Sequence, residues 1–340
     1  MDIIDLFRSY TKLDVWGEFL NKQKKLKPVP MQVRNTVFGP AQLWHDVSLP
    51  NSQYKDTVTN VPTVRRGSAA LVLKAEGVKV DAIEPQGFVM SHFATASELN
   101  NLKALGMKAT KQWFDSKNAN MLRRVYKGIE AMCAMALSGK VEYPMKAEGG
   151  EIELEVYDFG LTEEYSAAGT IDVSSADTKA SQLFKLLQSM AEKIEDNGYG
   201  SKLLTYAGRD IYAYIMDIVS NNDTRNIKIE ITENEITIGG YKIQRLSGKY
   251  HTYVGGTKTM VDKIDAEALC MIDLDAGHDF YYLAIDDLDA GLKALPFFSK
   301  PLKSENPNGA EIIAHSKPVP VPVVAAICWC NDAMGGGACR

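Results

Sequence analysis

Residues 107–139, MKATKQWFDSKNANMLRRVYKGIEAMCAMALSG, constrain this chain more than any other stretch. Phe114, Met121, Val125, Ile129, Met132 and Ala136 recur at steps of three, four and seven, which draws one apolar stripe along a 3.6-residue helix. Arg123, Arg124, Lys127 and Glu130 fall largely off that stripe. Ser138-Gly139 predicts the stop, because glycine adopts the left-handed conformation that closes many helices. At about 1.5 Å per residue, roughly thirty residues make a rod of about 45 Å, longer than the three-turn helix usual in globular domains. Such a rod can serve as a spine, and its flanks say what packs on it.

The flanks belong to a chain of 340 residues with 45% apolar content, enough for one large core or two modest ones, and two lobes are expected. A net charge of -5 and a pI near 5.7 argue against a basic nucleic-acid reader, though not against a protein that encloses nucleic acid. No apolar run approaches the roughly 20 residues that cross a membrane. The opening MDIIDLFRSY has Asp2 and no apolar h-region, so no signal peptide is expected and the product reads as soluble and cytoplasmic. Cysteines 133, 270, 328, 330 and 339 make an odd set without framework spacing, which predicts reduced thiols. The Cys328-Trp329-Cys330 pair lacks a second pair or a nearby histidine, so no metal is expected there.

Before the spine, Ile3, Ile4, Leu6 and Phe7 begin amphipathically. Lys22, Lys24, Lys25 and Lys27 then form a basic run that is either a solvated face or an arm touching a partner or enclosed nucleic acid. Pro28 and Pro30 close that run, and the prolines that follow at 40, 50, 62 and 85 disfavour helix. Between Thr57 and Pro85, two extended runs flank Arg65, Arg66, Gly67 and Ser68 and read as a hairpin. An isolated ribbon is marginal in water. About 90 residues thus precede the spine without a convincing core, and the expectation is that another copy of the chain stabilises them.

After the spine, Val141-Glu142-Tyr143 reads as a strand stopped by Pro144. Glu151 to Tyr157 then alternates charged and apolar residues as a half-buried strand. A change in composition over Thr162 to Asp177 predicts a second lobe, with Asp177 or Ser175 capping a helix through Leu183, Leu187 and Ile194. Further on are a strand at Lys202 to Tyr206, a helix at Arg209 to Ser220, and strands near Ile227 to Ile231, Ile236 to Ile238 and Tyr241 to Leu246. The class is α+β. Lys317-Pro-Val-Pro-Val-Pro reads as an edge strand or strap that returns to the first lobe.

Enzyme signatures fail one by one. Asp158-Phe159-Gly160 lacks a glycine-rich loop and a catalytic loop, and Gly255-Gly256-Thr257-Lys258 lacks phosphate-loop spacing. The repeated Asp273-Leu-Asp275-Ala-Gly277 and Asp287-Leu-Asp289-Ala-Gly291 lack the EF-hand glycine and glutamate, and read as solvated turns. The five histidines are scattered. No catalytic, cofactor-binding or metal-binding constellation is left.

The order of elements, together with Val64 to Pro85, SGKVEYP to EIELEVYDFG (Leu137 to Glu164) and Glu311 to Ala326, resembles the tailed-bacteriophage major capsid proteins, specifically the lambda-type major capsid protein E family. The resemblance covers about residues 35 to 335 and rests on arrangement rather than on a catalytic motif. Ile171-Asp172-Val173-Ser174 stands where the family has an aromatic-Ser opening. It implies a Hong Kong 97-type fold: an N-terminal arm (1–44), an extended loop (45–90), a peripheral domain with the spine helix (91–164), an axial domain (165–275) and a return to the peripheral domain with a C-terminal tail (276–340).

By the same resemblance the protein is no enzyme and takes no cofactor. It would form hexamers and pentamers of an icosahedral virion shell, assembled in the host cytoplasm, that encloses double-stranded DNA. Arg65, Arg66, Gly67 and Ser68 would lie on a neighbouring subunit. Scaffold, portal and decoration proteins are the implied partners, without covalent crosslinks and without a membrane. An acidic subunit suits such a shell, since a basic lumen would resist DNA release. A cellular nanocompartment shell of the same fold and a soluble enzyme with an unrecognised site are the rival readings.

Overall fold

The stripe on residues 107–139 forms one uninterrupted helix, Met107–Ala136, with Phe114, Met121, Val125, Ile129, Met132 and Ala136 all buried. The structure is a computed structural model that describes residues 3–11, 19–20, 22, 29–50, 82–147, 150–221, 227–254 and 257–335. Described helices are α1 (Ile3–Tyr10), α2 (Gln32–Thr36), α3 (Ala96–Leu105), the spine α4 (Met107–Ala136), α5 (Ala180–Glu195) and α6 (Arg209–Asn221). The strands in the first half are β1 (Ala41–Trp44), β2 (Phe88–Thr95), β3 (Lys140–Lys146), β4 (Ile152–Asp158), β5 (Glu163–Glu164), β6 (Leu203–Ala207), β7 (Ile229–Ile231), β8 (Glu235–Ile238) and β9 (Tyr241–Arg245). Those that follow are β10 (Lys249–Val254), β11 (Thr257–Asp262), β12 (Leu269–Asp273), β13 (Asp279–Leu283), β14 (Phe298–Glu305), β15 (Asn308–Ser316), β16 (Pro318–Val321) and β17 (Ile327–Cys330).

The spine stops where glycine is required. Gly139 has φ +80°, and a Cβ there would lie 2.1 Å from the Gly160 carbonyl oxygen, so backbone from the end of β4 passes directly over the helix terminus. Trp329 Nε1 donates to the carbonyl of the capping residue Leu137 (2.8 Å), which the helix leaves free, and Phe159 N–H donates to the Gly139 carbonyl just beyond it (2.9 Å). Upstream, Thr95 and Glu98 form a reciprocal capping box on α3.

A seven-stranded sheet in the order β5-β17-β12-β6-β9-β8-β7 separates two cores. Every residue of β12 is buried, which a strand covered on both faces requires. Its Cys270 and Ile272 enter the core built on the spine, and its Leu269 and Met271 enter the core formed with α5 and α6. Cys328 and Cys330 of β17 belong to the second core, on the face opposite Cys270. All four described cysteines are free and buried, and burial pushes the Cys328 and Cys330 thiols up to about 12. The first core also packs on β14-β15-β2 and β1-β13-β16.

Several local expectations are corrected. β3 runs through Pro144, because each strand of the two-stranded β3-β4 ribbon has an open edge where a missing donor is tolerated. Lys179, neither Ser175 nor Asp177, stands at the start of α5, and its N–H donates to Gln182 Oε1 (2.9 Å). The chain ahead of the spine has an interior of its own: Ile4, Phe7, Val33, Val37, Phe38, Leu49 and Ile83 are buried in the first core. Phe7 stacks on Phe114 with ring centroids 4.9 Å apart, so α1 lies on its own body. β2, at the end of the expected extended loop, pairs along its whole length with β15.

His278 ties these layers together. Its ring is buried; Nδ1 accepts from Val323 N–H (3.0 Å), so Nε2 carries the proton donated to the Asp273 carbonyl (3.0 Å). Its own carbonyl accepts from Gly39 N–H (2.8 Å). Burial lowers its pKa to about 4. A folded pKa below the unfolded value of about 6.5 means stability is complete above pH 6.5 and is lost as pH falls toward the folded value.

Urea unfolding is expected to give about 2 to 3 kcal/mol less stability at pH 4.5 than at pH 7 from this group, with His278→Gln flattening the dependence in that window. A second expectation concerns the helix stop: Gly139→Ala should cost about 2 kcal/mol or more, from the positive φ and the collision with Gly160, read as a lowered Tm.

Candidate assembly surfaces

The spine presents two kinds of surface, one turned inward to its own chain and one left open. The inward one centres on Glu130, expected off the apolar stripe but in fact buried. Its Oε1 accepts from Val33 N–H (3.0 Å) and from Lys263 Nζ (2.6 Å), and its Oε2 accepts from Arg34 N–H (3.0 Å). One carboxylate thus holds the start of α2, the spine and the segment after β11. The Arg34 guanidinium lies 4.1 Å above the centre of the Phe280 ring, extending the junction to β13. Periodicity could not find Glu130, because a glutamate among apolar neighbours reads as a solvated position until its three donors are placed around it.

The open surface is the outer face of the β3-β4 ribbon. Ile152, Leu154 and Val156, the apolar half of the alternation, are 36%, 43% and 49% exposed, and Pro144 pairs with Leu154 on the same face. The inward half is Glu153, Glu155 and Tyr157, with Tyr157 buried against the first core. Burial, and then the nearby Glu155 carboxylate, raise the Tyr157 hydroxyl above its ordinary pKa. The strand is half-buried as its pattern predicted, but with the opposite face inward.

Beside the ribbon stands the root of the long segment expected to reach a neighbour. Leu49 and Ile83, both buried, exchange N–H···O bonds of 2.9 Å each way. Gln86 N–H then donates to Glu155 Oε1 (2.7 Å), fixing the returning chain to the ribbon. Arg65, Arg66, Gly67 and Ser68 lie outside the described residues.

The repeated Asp-Leu-Asp-Ala-Gly turns are internal scaffolding. Asp273 accepts from the N–H groups of Gly200, Ser201, Lys202 and Asp275. Asp287 accepts from Asp289 and Ala290 N–H and pairs with Lys300 at 2.7 Å. Burial raises both pKa values, but these donors more than offset it and hold each carboxyl below its ordinary value. The first aspartate of each turn is buried, against the expectation of solvated turns.

Among the described residues no three His, Cys, Asp or Glu side chains are grouped to hold a metal. A cavity of about 300 Å³ is lined by Arg8, Thr11, Asp289, Phe298, Lys300, Pro301 and Leu302. Lys300 there is already held by Asp287 and Asp289, and no nucleophile faces a general base.

Residues 20–329 match the family described as Phage major capsid protein E. The chain belongs to that family. Its function is therefore structural, as a major capsid protein of the phage head, and not enzymatic. The fold agrees. The crystal structure of the capsid protein assigned to a prophage of E. coli CFT073 superposes with a TM-score of 0.61 at 15% identity, covering 93% of this chain and 97% of that one. A phage-related protein of Bordetella bronchiseptica RB50 gives 0.46 at 12% identity, covering 95% and 98%. The satellite phage P4 procapsid gives 0.42 at 12% identity, covering 93% and 98%. No curated protein sequence matches the chain.

Removing one partner of the buried junction strands the other charge. Glu130→Gln should cost about 3 kcal/mol or more in urea unfolding, and Glu130→Gln with Lys263→Met should cost less than the single change.

Proposed function

We propose that copies of this chain cluster into hexamers and pentamers, and that these close into an icosahedral shell around double-stranded DNA without reading its sequence. In this reading residues 165–275 form the axial domain gathered at the symmetry axes. Residues 91–164 and 276–340 form the peripheral domain, and residues 45–90 supply an extended loop whose Arg65-Arg66-Gly67-Ser68 tip lies on a neighbour. The shell forms in the host cytoplasm and ends in the virion. Scaffold, portal and decoration proteins are partners expected of a head of this kind.

The observation that carries this reading is the exposed Ile152-Leu154-Val156 stripe beside the Leu49–Ile83 root. A strand face with three large apolar side chains in water is expensive to leave uncovered, and at about 25 cal/mol per Å² the contact that covers it contributes adhesion. Heterologous contacts repeated around a ring close into a shell when the rotation fits.

Electron microscopy of the purified protein is expected to show closed particles. Leu154→Ser with Val156→Ser should leave the circular dichroism and Tm of the subunit nearly unchanged, since both side chains are exposed in the single chain, yet reduce particle yield at least tenfold. Replacing residues 52–80 by a short Gly-Ser link, with the root kept, should act the same way. Intact shells from both variants would count against the proposed contacts.

A further inference from the structure

The spine's solvent side has a charge pattern that its packing does not explain. Residues 96–129 carry seven Lys and Arg against only Glu98 and Asp115, in a chain where acids outnumber bases 43 to 38. On the helix surface Lys108, Gln112, Ser116, Asn120, Arg123 and Lys127 follow one another at steps of four, four, four, three and four, and all but the serine, glutamine and asparagine are cations. Each of the six is exposed.

Lys108, Arg123 and Lys127 form no ion pair among the described residues. The acids of the segment do not neutralise that arc: Glu98 is engaged with Thr95, and the half-buried Asp115 lies beside Lys111. The exposed side of α5 offers the contrast, since Lys185 and Lys193 there are interleaved with Glu192 and Glu195 in the mixed pattern of an ordinary solvated helix.

We infer that this face of the spine is where the subunit meets the phosphate backbone of nucleic acid, and, resting on the shell reading above, that it is the face turned toward the enclosed DNA. Lys108 at one end of the arc and Arg123 with Lys127 at the other, with only neutral polar side chains between them, can meet phosphates at both ends of the same span. A protein-docking face would carry an apolar centre, and the arc between Lys108 and Lys127 has no large apolar residue. From Lys108 to Lys127 the helix rises about 28 Å at about 1.5 Å per residue, a span over which duplex DNA presents many phosphates, one per roughly 1.7 Å of axis. A few such pairings per subunit, within an acidic protein, hold DNA against the wall reversibly.

The test uses full-length protein kept below the concentration at which light scattering detects particles, titrated with a labelled random-sequence duplex of about 30 base pairs from about 50 to 200 mM salt. Lys108→Gln/Arg123→Gln/Lys127→Gln should weaken binding at least tenfold and lower the slope of log K against log salt by about 2.7, roughly 0.9 for each phosphate no longer neutralised. Lys179→Gln/Lys185→Gln/Lys193→Gln removes equal charge from another surface and should change affinity less than twofold.

Equal losses from the two triple variants, no measurable duplex binding by the unmodified protein, or displacement of the duplex by polyglutamate at a lower charge concentration than by competing DNA would each overturn the inference. So would loss of particles from the spine variant with unchanged circular dichroism, which would make this face a contact between copies. Failure of the shell reading shows itself separately, as absence of particles from the unmodified protein.

Discussion

A carboxylate sunk among apolar side chains must be met by donors, and Glu130 is met by three, the adjacent Val33 and Arg34 N–H groups and the distant Lys263 ammonium. Desolvating both Glu130 and Lys263 is costly, and replacing such a pair with apolar residues can leave a protein equally stable. What the pair adds is position. The start of α2 and the segment after β11 both sit where Glu130 can reach them, so the incoming chain, the spine and the second half of the molecule share one register. Arg34, held through its N–H by Glu130, lays its guanidinium on Phe280 and carries that register to β13.

From this point the spine acts as the common wall of the first core, and the seven-stranded sheet acts as the wall between the two cores. β12 alternates its side chains into both, so neither core can shift without disturbing the other. Trp329, whose ring nitrogen reaches the Leu137 carbonyl, fastens that sheet to the end of the spine. His278 joins the Asp273 turn, the incoming chain at Gly39 and the strap after β16. Long-range ties of this kind leave the outer ribbon face and the solvent side of the spine as the open surfaces on which the proposed contacts rest.

The spine is legible in the sequence because thirty residues of 3.6-periodicity leave little choice of structure, and its stop is legible in Gly139. The α5 and α6 helices are legible for the same reason, and most strands of the larger sheet are legible as short apolar runs between turn residues. Less legible is anything decided by which face turns inward. Glu151 to Tyr157 alternates plainly, but period-two alternation does not say whether Ile152, Leu154 and Val156 or Tyr157 and its neighbours meet the core. Here Tyr157 turns inward together with Val141, its partner across the ribbon, and both join the first core. The chain ahead of the spine looks coreless because its apolar residues, Phe7, Val33, Phe38, Leu49 and Ile83, are too widely spaced for any periodicity, and they come together only in the folded first core. Glu130, Asp273 and Asp287 mislead alike: a carboxylate in a sequence looks solvated until the backbone donors around it are known.

The paired root at Leu49 and Ile83 has a consequence for how such a protein can diverge. Because Leu49 and Ile83 clasp each other directly, their position does not depend on the number of residues between them, and each doubling of a connecting length costs only about 0.6 kcal/mol of closure entropy. Insertions between these two positions therefore add little to the cost of bringing Leu49 and Ile83 together.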